Sequence, residues 1–211
     1  MNDKEIRSFL ANMETREEDE KGIIEGMPIV FNQRINLGWF DEIIAPTALD
    51  NADLKDVRLC LNHDTSFVYA RSRNNNENST MRIWKEGESG LRMSAKLDIE
   101  SSPRAADYYT AIKRGDIDKM SFMFSVDADE WQDVDTDHPT RTITGIKRVY
   151  EVSGVTFPAY EGTSLSARAE GDALESAKAS LESAKAKLAE ERARAEQAER
   201  RKALIAQLRG E

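Results

Sequence analysis

A serine, a histidine and a carboxylate are the groups with which a protein makes a hydroxyl attack a carbonyl. The imidazole takes the hydroxyl proton, and the carboxylate holds the imidazole in the correct tautomer. In this chain the candidates run in the order His63, Ser121 and Glu151. They lie in Asn62-His63-Asp64, in the run KMSFMFSV at 119–126, and in EVSGVTFPAY at 151–160. If 121–126 is a strand, Ser121, Met123 and Ser125 share one face while Met120, Phe122, Phe124 and Val126 form an apolar opposite face. Ser125 is therefore the nearest rival nucleophile. Cys60 is a third candidate, but a thiol three residues from His63 on one extended segment is badly placed to meet that imidazole, and it reads as a small buried apolar residue. The only other histidine, His138, falls in an acidic stretch ending in Pro139, so His63 is the better base, histidine being the side-chain type suited to proton transfer at neutral pH. Glu151 shares a strand face with Ser153; it could also be an exposed glutamate or a partner for Arg148. Asp64 is a poor orienter, because a sequence neighbour of His63 on a strand points the other way.

Short segments must hold these groups. Residues 27–32 and 57–61 are apolar runs of strand length, and 80–85 and 91–97 alternate apolar with polar residues, as do 121–126 and 149–156. The polar run 73–79 reads as a loop or hairpin end, and the acidic stretch 127–140 as a surface loop. One helix interrupts the strands: Ser101 or Ser102 caps it, Pro103 sits in its first turn, 105–113 form its body and Gly115 closes it. Many short strands with few helices predict an α+β domain, mainly a β barrel-like one.

Composition shifts sharply after Arg168. Residues 171–209 are rich in Ala, Glu, Lys, Arg and Leu and lack proline; Leu174, Leu181 and Leu188 recur at heptad spacing with Ala177 and Ala184 between them. The spacing predicts a long helical, coiled-coil-like tail over 170–211 after a first domain over 1–169. Its alanine-rich seam buries little area, so self-association or pairing with a helical partner competes with a simple solvated helix. The net charge of −9 belongs entirely to residues 1–169, because nine basic and nine acidic residues cancel from Glu170 onward. An acidic domain disfavours nucleic-acid binding. No run of about 18 apolar residues exists, so no membrane span is expected. The N-terminal residues lack the apolar core of a secretory signal. One cysteine excludes an intrachain disulfide framework. Two histidines and one cysteine are too few for a zinc site, and no HExxH, CxxC or phosphate-cradling glycine loop occurs, so no metal or cofactor is expected. The solvated charge run Glu17-Glu18-Asp19-Glu20 carries no role.

Taken together, segments 26–31, 40–48, 57–64, the GL at 90–91, 112–126 and 150–160 resemble, in order, the caudovirus prohead protease family. These are the serine peptidases that process capsids of tailed phages and share an ancestry with the herpesvirus assembly proteases. The resemblance runs from about Arg7 to Arg168. It implies Ser121 as nucleophile, His63 as base and Glu151 as third member; the herpesvirus relatives use a second histidine there, which here would be His138. Met123 departs from the glycine common two residues after the family's serine. The resemblance further implies scaffold and capsid proteins as substrates, cutting of the protease itself, a homodimer or higher oligomer, and action inside an assembling prohead in the host cytoplasm. The tail at 171–211 would bind scaffold or sister helices and concentrate the enzyme in the assembling head, with a cut near Arg168 to Gly171 freeing the core. Two rival readings use the same strands and heptads: a non-catalytic capsid assembly protein that needs neither Ser121 nor His63, and a fusion whose tail is itself the scaffolding segment.

Overall fold

The apolar faces of the strands meet between two sheets in the computed structural model, which describes residues 4–9, 13–18, 21–156 and 166–209. In chain order the elements are β1 (Glu5–Phe9), β2 (Glu14–Glu18), β3 (Lys21–Val30), β4 (Ile35–Asn36), β5 (Asp41–Ile44), β6 (Arg58–Leu61) and β7 (Ala70–Arg71). They continue as β8 (Met81–Glu86), β9 (Gly90–Leu97), α1 (Pro103–Lys113), β10 (Lys119–Gln132), β11 (Thr140–Val155) and α2 (Ser166–Arg209). One sheet runs β1-β10-β11-β5-β4, with β6 also on β11 and β7 on β6; the other runs β2-β3-β9-β8. Ile24 and Ile29 of β3 and Leu91, Met93 and Ala95 of β9 pack with Met120, Phe122 and Phe124 of β10 and Val149 and Val152 of β11. This is the alternating apolar face expected of half-buried strands, removed from water at roughly 25 cal/mol per Å². Tyr108, Tyr109 and Ile112 of α1 join the same core.

The α+β class is as expected, but the described strands do not close into a barrel: the two sheets stay separate, with edges at β1, β4 and β7 in one and at β2 and β8 in the other. The helix follows its sequence signals. Ser102 caps it by accepting the Ala105 N–H at 3.4 Å, and Gly115 after it adopts φ +80°. The acidic stretch 127–140 is not a loop throughout. Residues 127–132 continue β10 and pair with 140–145 of β11. Polar residues suit the β10 half of this ribbon because Asp127, Ala128, Glu130 and Gln132 are exposed, while Thr140, Arg141 and Ile143 of the β11 half are buried. Trp131 anchors it against Trp39 and Phe40, at ring distances of 5.9 and 5.4 Å. Register shifts along β10 and β11 bend the pair. One edge of β11 thereby serves β5 along residues 140–143 and β6 along 151–154.

The long helix α2 starts at Ser166. Of its heptad seam, Ala177 and Leu181 are buried within the chain itself, where the helix lies against β1 and β10. Ser180 ties it down by accepting from Trp131 Nε1 at 3.0 Å and donating to Asp129 at 2.7 Å. Leu204 and Ile205 near its end are exposed. The side chains of Leu174, Glu17 and Glu18, together with Asp19, Glu20 and residues 157–160, lie outside the described residues.

Candidate active site

The end of β6 delivers His63. Its preceding ladder runs parallel to β11, pairing Arg58 with Glu151, Cys60 with Ser153 and Leu61 with Gly154. The chain then turns sharply, with Asn62 and His63 both left-handed at φ +50° and +61°. Such a conformation is uncommon for non-glycine residues and persists where its surroundings hold it. Here the Asn62 N–H donates to the Gly154 carbonyl at 3.0 Å, and the Asn62 side-chain oxygen accepts from the Thr156 N–H at 2.9 Å. The His63 N–H donates to Ser153 Oγ at 3.2 Å.

That turn puts His63 Nδ1 at 2.6 Å from Glu151 Oε1. Glu151 is 1% exposed, and its other oxygen accepts from the Ser153 hydroxyl at 2.5 Å. A carboxylate at Nδ1 selects the tautomer with the proton on that nitrogen, which leaves Nε2 as the acceptor for a substrate-side proton. Ser153 therefore ties the histidine's backbone to the carboxylate that faces its ring. Sequence reasoning assigns Ser153 no role; its one signal is its place two residues from Glu151 on the same strand face.

Tyr108 braces this corner. Its hydroxyl donates to the Cys60 carbonyl at 3.3 Å and accepts the Gly154 N–H at 3.0 Å. A Cβ on Gly154 would stand 2.4 Å from that hydroxyl oxygen, so only glycine permits the approach. A cleft of about 560 Å³ opens beside His63, between Asn62 and Asp64 on one side and Arg104, Tyr108 and Ala111 of α1 on the other.

Ser121 lies one strand over, directly opposite Ser153 across the β10–β11 ladder, so the two side chains share a face. It is fully buried, and its hydroxyl donates to the Arg7 carbonyl of β1 at 2.8 Å rather than to His63. The other candidates are elsewhere. Ser125 contacts the Tyr150 hydroxyl at 3.4 Å. His138 stands 2.9 Å from Asp41, at the opposite end of β11 from Glu151. Asp64 accepts the Ser66 N–H at 2.9 Å. Cys60 is buried, and burial, with the nearby Glu151 charge, pushes its thiol up to about 12, which keeps it protonated and weakly nucleophilic.

Next to Ser121 lies a buried ionic cluster. Arg7 pairs with Glu42 and with Glu5, and Arg141 pairs with Glu5 and Glu42 at 3.0 and 3.1 Å and with Asp129 at 2.6 Å. Burial opposes the Arg141 charge, but these carboxylates outweigh it and hold its pKa above the usual value. Among the described residues no group of three or more His, Cys, Asp or Glu is arranged to hold a metal ion, and no helix is long and apolar enough to cross a membrane.

Comparison with known proteins gives two matches. The family described as caudovirus prohead serine protease matches residues 11–177. The prohead protease of Enterobacteria phage HK97 is 30% identical over 165 residues, a match covering 75% of this chain and 65% of that relative's length. No solved structure matches.

Proposed function

Because the chain belongs to the caudovirus prohead serine protease family, we propose that it is a serine endopeptidase that cuts scaffold and capsid proteins, and itself, during prohead maturation. The observation that carries this reading is the His63–Glu151 contact at 2.6 Å, one strand from a serine on the same face. In the proposed reaction His63 Nε2 takes the Ser121 proton as Oγ bonds to the scissile carbonyl carbon. The imidazolium, steadied by Glu151, then gives that proton to the leaving amine as the C–N bond breaks. Water activated by the same nitrogen opens the acyl-enzyme and frees Ser121. Ser153 holds Glu151 and the His63 backbone in place, and so acts through them rather than on the substrate.

The peptidase unit of this reading is residues 1–169, and the tail at 170–211 carries it into the assembling head within the host cell. Ala177, Leu181 and, further on, the Arg192–Asp135 ion pair hold α2 to the body of the chain, which leaves its exposed end, with Leu204 and Ile205, for scaffold or sister helices. Self-cleavage near Arg168 to Gly171 requires the first turns of α2 to unwind, because a scissile segment must be extended to lie in a site. The burial of Ser121 and its bond to Arg7 favour one rival, a non-catalytic assembly protein that keeps the fold without the chemistry.

Intact-mass spectrometry over time, on the chain co-expressed with its scaffold and capsid proteins and beside Ser121→Ala, separates the two. Defined shortening by the wild type alone supports the peptidase. Whole substrates with both forms, together with normal head assembly by Ser121→Ala, support the assembly protein.

A further inference from the structure

One edge of β10 is covered by the chain's own β1. The two strands are antiparallel, with Ser8 opposite Ser121 and Arg7 opposite Phe122, and the Arg7 carbonyl holds the Ser121 hydroxyl. β1 is seated largely by charge. Arg7 lies against Glu42, and Glu5 against Arg141, all four of them buried. The cluster contains two guanidinium groups (Arg7, Arg141) and three carboxylates (Glu5, Glu42, Asp129). Removing β1 takes away one of each sign and leaves Arg141 between Glu42 and Asp129. The vacated place beside Glu42 is thus anionic in excess, where a guanidinium now sits. β1 also precedes the family-matched residues 11–177, whereas the edge it covers lies within them.

We propose that this edge of β10 is a docking site for an extended peptide bearing a basic residue, and that β1 is its internal occupant, which must leave before Ser121 can act. This inference rests on the reading of Ser121 as the nucleophile. An uncovered edge offers unpaired N–H and C=O groups that a strand satisfies by addition. β1 demonstrates the register, and Glu42 with Asp129 would receive a Lys or Arg at the position Arg7 now takes. While the Ser121 hydroxyl donates to the Arg7 carbonyl, its one proton is not offered to His63.

The test uses the full chain carrying Ile6→Cys and Met123→Cys, positions directly opposite in the β1–β10 ladder. Oxidation pins β1 and reduction releases it within one protein, and the native Cys60 is buried away from the exchange. The probe is a fluorophosphonate: serine Oγ bonds to phosphorus, fluoride leaves, the proton passes to the base, and peptide mapping locates the label. We expect labelling of Ser121 to be at least about tenfold slower in the oxidised form, and Arg7→Ala to label faster than wild type, since breaking a buried ion pair loosens the segment that carries it. Ser121 labelled at equal, measurable rates in the oxidised and reduced forms overturns the proposal.

Amide hydrogen exchange over 119–126 gives a second readout independent of chemistry. Exchange slowed by the lock and hastened by Arg7→Ala, with no labelling in any form, removes Ser121 as nucleophile but leaves β1 as the occupant of the edge. Exchange unmoved by either change overturns the occupancy itself. On the Arg7→Ala protein, a synthetic peptide of residues 3–10 should slow labelling again. Its Arg7→Glu counterpart should not, and equal slowing by both overturns the basic preference.

Discussion

The two halves of the candidate site differ in how they are held. The base half is assembled by backbone: β6 and β11 run in parallel register, Asn62 and His63 turn left-handed at its end, and Ser153 joins the His63 N–H to Glu151. The nucleophile half is assembled only as far as its strand. Ser121 has the right face, but its hydroxyl is bonded to the Arg7 carbonyl of an edge strand. A parallel ladder buried in a sheet is difficult to shift, whereas an edge strand seated by ion pairs can be exchanged for another. On the proposed roles, this fold holds the candidate base and its orienter in place, while the engagement of Ser121 depends on what lies on the sheet edge.

Substitutions at the proposed catalytic groups have the largest expected effects. Ser121→Ala or His63→Ala should lower peptidase activity on the order of 10⁴-fold or more, measured by substrate cleavage on the released form; activity surviving either change would break the proposed mechanism. Glu151→Gln keeps the volume but not the charge and should cost on the order of 10³-fold in kcat with little change in KM, in line with a group that acts through the imidazole. Ser153→Ala removes one charge-assisted hydrogen bond and should lower kcat roughly tenfold. Ser153→Thr should recover part of that loss, and the pH–rate profile should move with it; a purely structural serine would change stability and leave the profile in place.

Away from the chemistry the effects are smaller. Leu181→Ala should destabilise the docking of α2 by about 2 kcal/mol, read as a lowered denaturant midpoint and faster amide exchange over 177–188, with the His63–Glu151 half unaffected. Cys60, buried and with its thiol held up to about 12, should resist iodoacetamide at pH 8 in the folded chain and react only on unfolding. Alkylation of native Cys60 at an ordinary thiol rate would mean that the β6–β11 ladder opens, and that the base half is less rigid than its hydrogen bonds imply.

Period-two alternation was enough to find the strands at 80–85, 91–97, 121–126 and 149–156, because the face on which each packs is written in residue type. The cap at Ser102 and the glycine after α1 are equally local signals. The hairpin beyond Asp127 escaped the same reasoning, since its first strand is mostly exposed and acidic and has little apolar period to read, and its anchor Trp131 finds partners some ninety residues earlier in the chain, at Trp39 and Phe40. The heptads after Leu174 were legible as helix, but nothing in them announced that Ala177 and Leu181 face the chain's own strands.

For the site, residue types and strand alternation put Ser121, Glu151 and Ser153 on defined faces, and the scarcity of histidines singled out His63. Those features are local, and one chain carries them without folding. The meeting of His63 with Glu151 depends on the parallel register of β6 and β11 and on two left-handed residues, and the capture of Ser121 by Arg7 depends on which strand adds to the edge of β10. Such pairings join residues about ninety and more than a hundred positions apart. Only the tertiary structure decides them, because their energy comes from non-local contacts whose partners no local period names.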